Sequence, residues 1–219
     1  MSFSKRCVDV CLSLVLGAIL VLPGILIAFA ILLLDGRPVF FHSERMKTHD
    51  QGFTLWKFRT MREGTADNSV TAGYKSNRVT RLGSVLRRTR LDEIPQIFNI
   101  LRGDMSFVGP RPPLRRFVNM RPELYKDVLR ARPGVTGFAT LFFHETEERL
   151  LRQCRTSRQA DAVYIHQCIP AKARLDLFWA ENGSIWRDMV LLWMTFAHVG
   201  GLGPGKQMLT KSTRAIRTW

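Results

Sequence analysis

The chain has 219 residues, with 33 Lys+Arg against 18 Asp+Glu and a formal charge of +15. That length holds one compact domain plus an appendage, and the charge calls for an anionic partner: nucleic acid, anionic lipid or a phosphorylated substrate. The four cysteines, Cys7, Cys11, Cys154 and Cys168, make no CxxC and no zinc-ligand spacing, which excludes a disulfide scaffold and points to a reduced, cytosol-facing protein.

Lys5 and Arg6 lead into 24 uncharged residues, Cys11 to Leu34, about 36 Å if helical and enough for a bilayer crossing. Leu22, Pro23 and Gly24 fall at the midpoint, where proline removes a backbone donor, and Lys5 and Arg6 before the segment face Arg37, Arg45 and Lys47 after it. A helix-break-helix over residues 1–36 that returns to the same face and a proline-kinked spanning helix both satisfy this pattern. Leu32-Leu33-Leu34-Asp35 offers no small-residue cleavage site, so the segment is not a signal peptide. An apolar anchor favours lipid over nucleic acid as the anionic partner.

Residues 37–199 read as the catalytic domain. Pro38 to Phe41 and Phe53 to Phe58 read as paired strands across a polar connection. Lys57 and Arg59 flank Phe58, so on a strand they share one face and make it cationic. Gly64 to Asn77 is rich in Gly, Ser, Thr and Asn and reads as a surface loop. From Thr80 to Arg90, Leu82, Val85 and Leu86 share one face among Arg81, Arg87, Arg88 and Arg90, an amphipathic basic helix suited to anionic headgroups or a diphosphate.

Arg90 to Pro112 carries the chemistry. The spacing of Ile94, Ile97, Phe98, Ile100 and Leu101 predicts a helix with Pro95 in its first turn and Gly103 at its end, placing Asp92 and Glu93 at the N-terminus, where the macrodipole favours ionised carboxylates. An ionised Asp is a competent nucleophile toward phosphorus once a cation shields the diphosphate, and the adjacent Glu can position a metal or manage a proton. Pro110-Arg111-Pro112 fixes the backbone around a guanidinium whose fork suits phosphate. Gly134 and Gly137 mark a backbone turn.

Downstream, His144, Glu145, Glu147 and Glu148 lack HExxH spacing and read as a polar helix start. Ile185 to Val199 is too short in its apolar part to span a bilayer and long enough to lie on one; Trp179, Trp186 and Trp193, seven apart, make either an interfacial stripe or core contacts. Gly200, Gly201, Gly203 and Gly205 open a basic tail, residues 200–219.

KFRTM (Lys57 to Met61), RLDEIPQ (Arg90 to Gln96), GDMSFVGPRP (Gly103 to Pro112) and RPGVTG (Arg132 to Gly137) occur in that order and together resemble the bacterial sugar transferase family of monotopic polyprenyl-phosphate phosphoglycosyl transferases. The resemblance runs from Lys5 to about Asp176. It implies an α/β fold, largely helical with a small sheet, with a re-entrant N-terminal membrane hairpin broken at Leu22-Pro23 and amphipathic interfacial helices. It implies transfer of a sugar phosphate from a UDP-sugar to polyprenyl phosphate, with release of UMP, at the cytoplasmic face of a bacterial membrane, and leaves room for a homodimer. Asp92 becomes the nucleophile and metal-facing carboxylate, Glu93 its partner, and Mg²⁺ the charge shield. Lys57, Arg59, Arg87, Arg88 and Arg111 fall to the phosphates, with Asp161 (of a DxxY element ending at Tyr164) and Asp176 as further substrate contacts. Two departures stand out: Arg90 where many members have Ser, and Ala139 to His144 where many carry a Gln and a Gly-Arg-Asn-like element. The alternative is a non-enzymatic basic protein of the membrane surface that binds anionic lipid or nucleic acid.

Overall fold

The computed structural model describes residues 2–62 and 78–199, so the expected loop Gly64 to Asn77 and the basic tail lie outside the described residues. Helix α1 runs from Phe3–Leu34, with Ser2 as its N-cap accepting from Lys5 N at 3.3 Å. Among the described residues it alone is long and apolar enough to cross a membrane, with a window of mean hydropathy 2.8. The helix is not divided at Leu22-Pro23: Pro23 lies inside it, because proline deletes one donor while the remaining rungs are kept, and such prolines are tolerated in membrane helices.

One face of α1 is bare and apolar, with Leu14, Ile19, Leu22, Ile25, Phe29 and Leu33 all exposed. The other face is tied to the body along its length. Arg6 caps the last carbonyls of the downstream helix by donating to Ile100 O at 2.6 Å and Leu101 O at 2.7 Å. Asp9, though charged and in an apolar helix, is buried and accepts from Ser106 Oγ at 3.1 Å and Phe107 N at 3.3 Å. At the far end Asp35 accepts from Thr80 Oγ1 at 2.7 Å, and Ile31 is buried with Phe58 and Leu86.

Strands β1 (Phe40–Met46) and β2 (Gly52–Phe58) form an antiparallel hairpin in which Phe41 faces Lys57 and Arg45 faces Phe53. It is longer at β1 than the apolar run predicts, because Ser43 and Arg45 continue the alternation that pairs with β2. Helix α2 (Arg81–Arg88) has Thr80 as its N-cap, accepting from Gly83 N at 2.9 Å. A 3₁₀ turn at Leu91–Glu93 follows, then α3 (Gln96–Arg102), which Gly103 ends in the left-handed region at φ 85°. Buried Asn99 pins α3 to β2 by donating to Thr54 O at 2.8 Å and accepting from Trp56 N at 3.1 Å.

The remaining strands, β3 (Ser106–Val108) and β4 (Gly134–Thr136), pair in parallel. Their contact explains the glycines of two motifs: a Cβ on Gly134 would lie 2.2 Å from Gly109 N, and one on Gly109 would lie 2.1 Å from Arg132 O, so no side chain fits either position. Gly134 is therefore a close-packing position rather than a ligand contact. Between these strands lie α4 (Arg115–Met120) and α5 (Pro122–Val128); after them come α6 (Phe138–Phe142), α7 (His144–Arg152), α8 (Ser157–Val163), a π turn at Tyr164–Cys168, α9 (Ile169–Asn182) and α10 (Ile185–Val199). One core cluster gathers Met46, Phe117, Tyr125 and Ile169; a second joins Phe53, Ile100, Phe107 and Leu191. The tryptophan stripe divides: Trp179 packs on Phe138 and donates to Asp188 at 3.0 Å, whereas Trp186 and Trp193 are exposed.

Asp9→Ala is expected to leave Ser106 Oγ and Phe107 N buried without their acceptor, a loss of about 1–3 kcal/mol. Thermal unfolding of the detergent-solubilised variant, read against wild type, measures it.

Candidate active site

The acidic pair does not occupy the first turn of α3. It lies in the preceding 3₁₀ turn, entered through Arg90 at φ 58°, a left-handed conformation that is uncommon outside glycine. Both carboxylates are buried, and they fare differently. Glu93 Oε1 receives Lys57 Nζ at 2.6 Å, Arg90 Nη1 at 3.5 Å and Arg111 Nη2 at 3.5 Å. Burial alone would raise its pKa; Arg111, Lys57 and Arg90 overcome that and hold it at about 2. Among the described residues Asp92 has one cation within ion-pair distance, Lys57 at 4.0 Å from Oδ2, and its Oδ1 has no hydrogen-bond partner. Burial, with the adjacent Glu93 charge, therefore raises its pKa against the pull of Lys57, Arg90 and Arg87, so desolvation outweighs the helix dipole expected from sequence. Two neighbouring carboxylates thus have opposite roles available, one a saturated anchor and the other an uncommitted oxygen.

The pair opens into a cleft of about 910 Å³ whose walls include Arg45, Lys57, Arg87, Arg88, Arg90 and Arg111. Six cations there meet Asp92, Glu93 and Glu148, an excess of positive charge that suits a polyanion. Arg87 is aimed by donating from Nε to Thr60 Oγ1 at 2.8 Å. Asp92 Oδ1, a buried carboxylate oxygen without a partner among the described residues, is of the chemistry that would hold a hard cation. No cluster of three or more metal-ligating side chains occurs among the described residues, so the chain's fit to Mg²⁺ is that of one or two carboxylates completed by substrate oxygens.

Several expected site residues lie elsewhere. Arg59 is buried but donates to Asp35 O at 2.6 Å, Gly36 O at 2.6 Å and Arg37 O at 3.0 Å. It caps the end of α1 instead of facing the cleft with Lys57, because β2 ends at Phe58 and the strand alternation no longer governs the next residue. Asp161 pairs with Arg116 at 3.6 Å on α8 and does not line the cleft. Asp176, on α9, lines a cavity behind Arg111, and burial raises its pKa to about 7 against Lys172 and the Ala139 amide. Leu22 and Pro23 lie on α1 outside the cleft.

Other cleft residues escape the motif reading. Phe41, Ser43 and Arg45 reach the cleft from alternate positions of β1, a period-2 signal visible in sequence but carrying no chemistry by itself. Thr140, Leu141 and His144 come from the stretch that departs from the usual motif, Glu148 from further along α7, and Thr195 and His198 from α10. Burial lowers the pKa of His144, with Arg90 and Arg111 adding to it against Glu148.

An apolar helix docked along a small α/β body, with a carboxylate pair at the base of a cationic cleft, defines a class of membrane-associated enzyme that handles phosphate. Within that class the chain belongs to the bacterial sugar transferase family, whose pattern matches residues 1–201. It is 30% identical over 205 residues to the UDP-N-acetylgalactosamine-undecaprenyl-phosphate N-acetylgalactosaminephosphotransferase of Aeromonas hydrophila, covering 89% of this chain and 43% of that protein. It is 36% identical over 204 residues to the exopolysaccharide production protein PSS of Rhizobium leguminosarum bv. phaseoli, covering 87% and 92%. It is 31% identical over 196 residues to the UDP-glucose:undecaprenyl-phosphate glucose-1-phosphate transferase of Escherichia coli (strain K12), covering 87% and 39%. The chain therefore spans less than half of two of these relatives and nearly all of the third.

Two substitutions separate structural from substrate contacts. Arg59→Gln should lower stability by on the order of 2 kcal/mol by abandoning three backbone carbonyls, with the KM values of the folded variant unchanged; a denaturant titration and steady-state kinetics check both. For Asp176, the folded state keeps its proton up to about pH 7, whereas the unfolded chain releases it near about pH 4. Its contribution to stability is complete below the lower value and lost as pH rises through the upper one. Asp176→Asn should therefore flatten the fall of melting temperature over that window, as read by differential scanning fluorimetry.

Proposed function

We propose that this chain transfers a sugar phosphate from a UDP-sugar to undecaprenyl phosphate, releasing UMP and starting a polysaccharide or glycoconjugate on the cytoplasmic face of the bacterial inner membrane. The observation that carries the reading is the split pair: Glu93 saturated by three cations, and beside it Asp92, which lines the cleft and whose buried Oδ1 has no hydrogen-bond partner among the described residues. A basic lipid- or nucleic-acid-binding surface gains nothing from a buried carboxylate pair, whose desolvation costs stability. The names of the relatives supply the substrates, a UDP-sugar donor and undecaprenyl phosphate.

In the first step an Asp92 oxygen bonds to the sugar-bearing phosphorus of the donor, and the bond from that phosphorus to the bridging oxygen breaks. The electron pair leaves with UMP, and an acyl phosphate remains on Asp92. In the second, an oxygen of undecaprenyl phosphate attacks the same phosphorus, and the Asp92 oxygen departs with its electron pair, restoring the carboxylate. An acyl phosphate is a good donor, so the second step is near thermoneutral, and both substrates use one site in turn. Lys57 is held by Glu93 at 2.6 Å and reaches Asp92 at 4.0 Å, so Glu93 positions the cation that keeps Asp92 ionised. Asp92 would hold Mg²⁺, which when bound would supply charge neutralisation for the donor's phosphates. Arg87, Arg88 and Arg111 bind phosphate oxygens around it.

Asp92→Asn keeps the shape and removes the nucleophile. It should abolish UMP release and the covalent phosphosugar adduct, measured by a coupled nucleotide assay and intact-protein mass spectrometry. Glu93→Gln frees Lys57 and should reduce kcat by at least about 100-fold, and excess EDTA should stop turnover reversibly. Near-normal UMP release from Asp92→Asn would refute the covalent route.

Both ends of α1 are bonded to one body, through Arg6 and Asp9 at one end and Asp35 at the other, which supports a helix whose two ends stay on the cytoplasmic side. In a cysteine-free background, Ser2→Cys and Ser43→Cys should both resist an impermeant thiol reagent in intact cells and react once the cells are opened; labelling of Ser2→Cys in intact cells would establish a spanning helix.

A further inference from the structure

The cleft continues in two directions of opposite character. On one side Phe58 belongs to both the cleft and an apolar groove of about 430 Å³ between α1, the hairpin and α3. On the other, Arg45 and Arg111 belong to both the cleft and a polar cavity of about 210 Å³ whose lining includes Tyr164, Glu147, Lys172 and Asp176. The cations at that polar neck are unequally occupied. Arg111 engages Glu93 at 3.5 Å and Lys172 engages Glu147 at 2.9 Å. Arg45 has only two long contacts, Ser43 Oγ and Pro112 O, both at 3.4 Å, and among the described residues no carboxylate lies within ion-pair distance of it. Burial and the like charge of Arg111 lower its pKa to about 10, so it remains charged at neutral pH. A half-buried guanidinium beside a second one, with no carboxylate partner among the described residues, is a site suited to one anion.

We infer that Arg45 is a substrate-binding residue that holds the nucleotide phosphate of the donor, the group that leaves as UMP. The assignment rests on the phosphoglycosyl-transfer reading and goes beyond it by orienting the substrates. The acceptor's hydrocarbon tail is excluded from a cavity lined by five ionisable side chains, Arg45, Arg111, Glu147, Lys172 and Asp176, and finds an apolar wall past Phe58. The nucleotide is polar and charged throughout, so it takes the other exit. When the bond from the bridging oxygen to the sugar-bearing phosphorus breaks, the electron pair and negative charge collect on the UMP phosphate, where the fork of Arg45 donates to two of its oxygens.

The test uses the full chain in detergent with a UDP-sugar, undecaprenyl phosphate and Mg²⁺, comparing wild type with Arg45→Met and Arg45→Lys. Arg45→Met should raise KM for the UDP-sugar and the inhibition constant of UMP by about tenfold or more, the weight of a charge-assisted hydrogen bond, with KM for undecaprenyl phosphate unchanged. Arg45→Lys, which keeps charge without the fork, should fall between. Unchanged donor KM in a folded variant, or equal rises for donor and acceptor, would overturn the assignment; if Arg45→Met fails to fold, Arg45→Lys alone decides by the same criterion. Absence of UMP release by wild type from every UDP-sugar tried would instead sink the reaction. Calorimetric binding of UMP to wild type and its loss in Arg45→Lys would then still support the arginine, and equal binding or none would overturn it.

Discussion

The arrangement depends on one buried carboxylate, Glu93, shared by cations from three places in the chain: Lys57 on β2, Arg90 at the head of the 3₁₀ turn, and Arg111 in the segment after β3. A buried charge of either sign is costly alone. Here the cost is offset only when hairpin, acidic turn and proline-fixed segment are all in place, so the ion cluster makes assembly of the cleft a cooperative event. The same contacts leave Asp92, among the described residues, with one cation within ion-pair distance and a buried oxygen without a hydrogen-bond partner. Structure and reactivity therefore have a common electrostatic origin: saturation of one carboxylate is what leaves the other available.

The second constraint is the seating of α1. A purely apolar helix would slide or rotate on an apolar surface, since dispersion contacts are weakly directional. Asp9 against β3, Arg6 against the end of α3, and Asp35 against Thr80 set its register by hydrogen bonds. The exposed face of α1 and the exposed Trp186 and Trp193 of α10 are the surfaces that call for a lipid environment. The cleft is thereby fixed relative to the long apolar helix, as the proposed transfer from a water-soluble donor to a lipid-borne acceptor requires.

Departures from the common family pattern gain a place in this frame. Arg90 adds a third cation around Glu93 and takes a left-handed backbone conformation immediately before the pair. Ala139 to His144 folds into α6 and the start of α7, which put Thr140, Leu141 and His144 on the cleft wall. Substrate contacts are thus available from this segment through different side chains, on a surface that faces the same carboxylates.

What the sequence by itself determined follows from short-range rules. The apolar period and Gly103 defined α3, Thr80 the start of α2, apolar runs the pairing of the hairpin though not the extent of β1, and four ordered motifs the family; each depends on residues within a few turns of one another. Tertiary structure alone decided where long, flexible cations point. Lys57 and Arg59 are two residues apart in one motif, yet one reaches Glu93 and the other caps α1, because the chain leaves the strand between them. Arg45 has no motif to mark it and still reaches the cleft through its place on β1. The opposite pKa shifts of Asp92 and Glu93 were likewise invisible in a dipeptide of two acids: they arise from which distant arginines arrive, and how much water each carboxylate loses, when the chain closes around them.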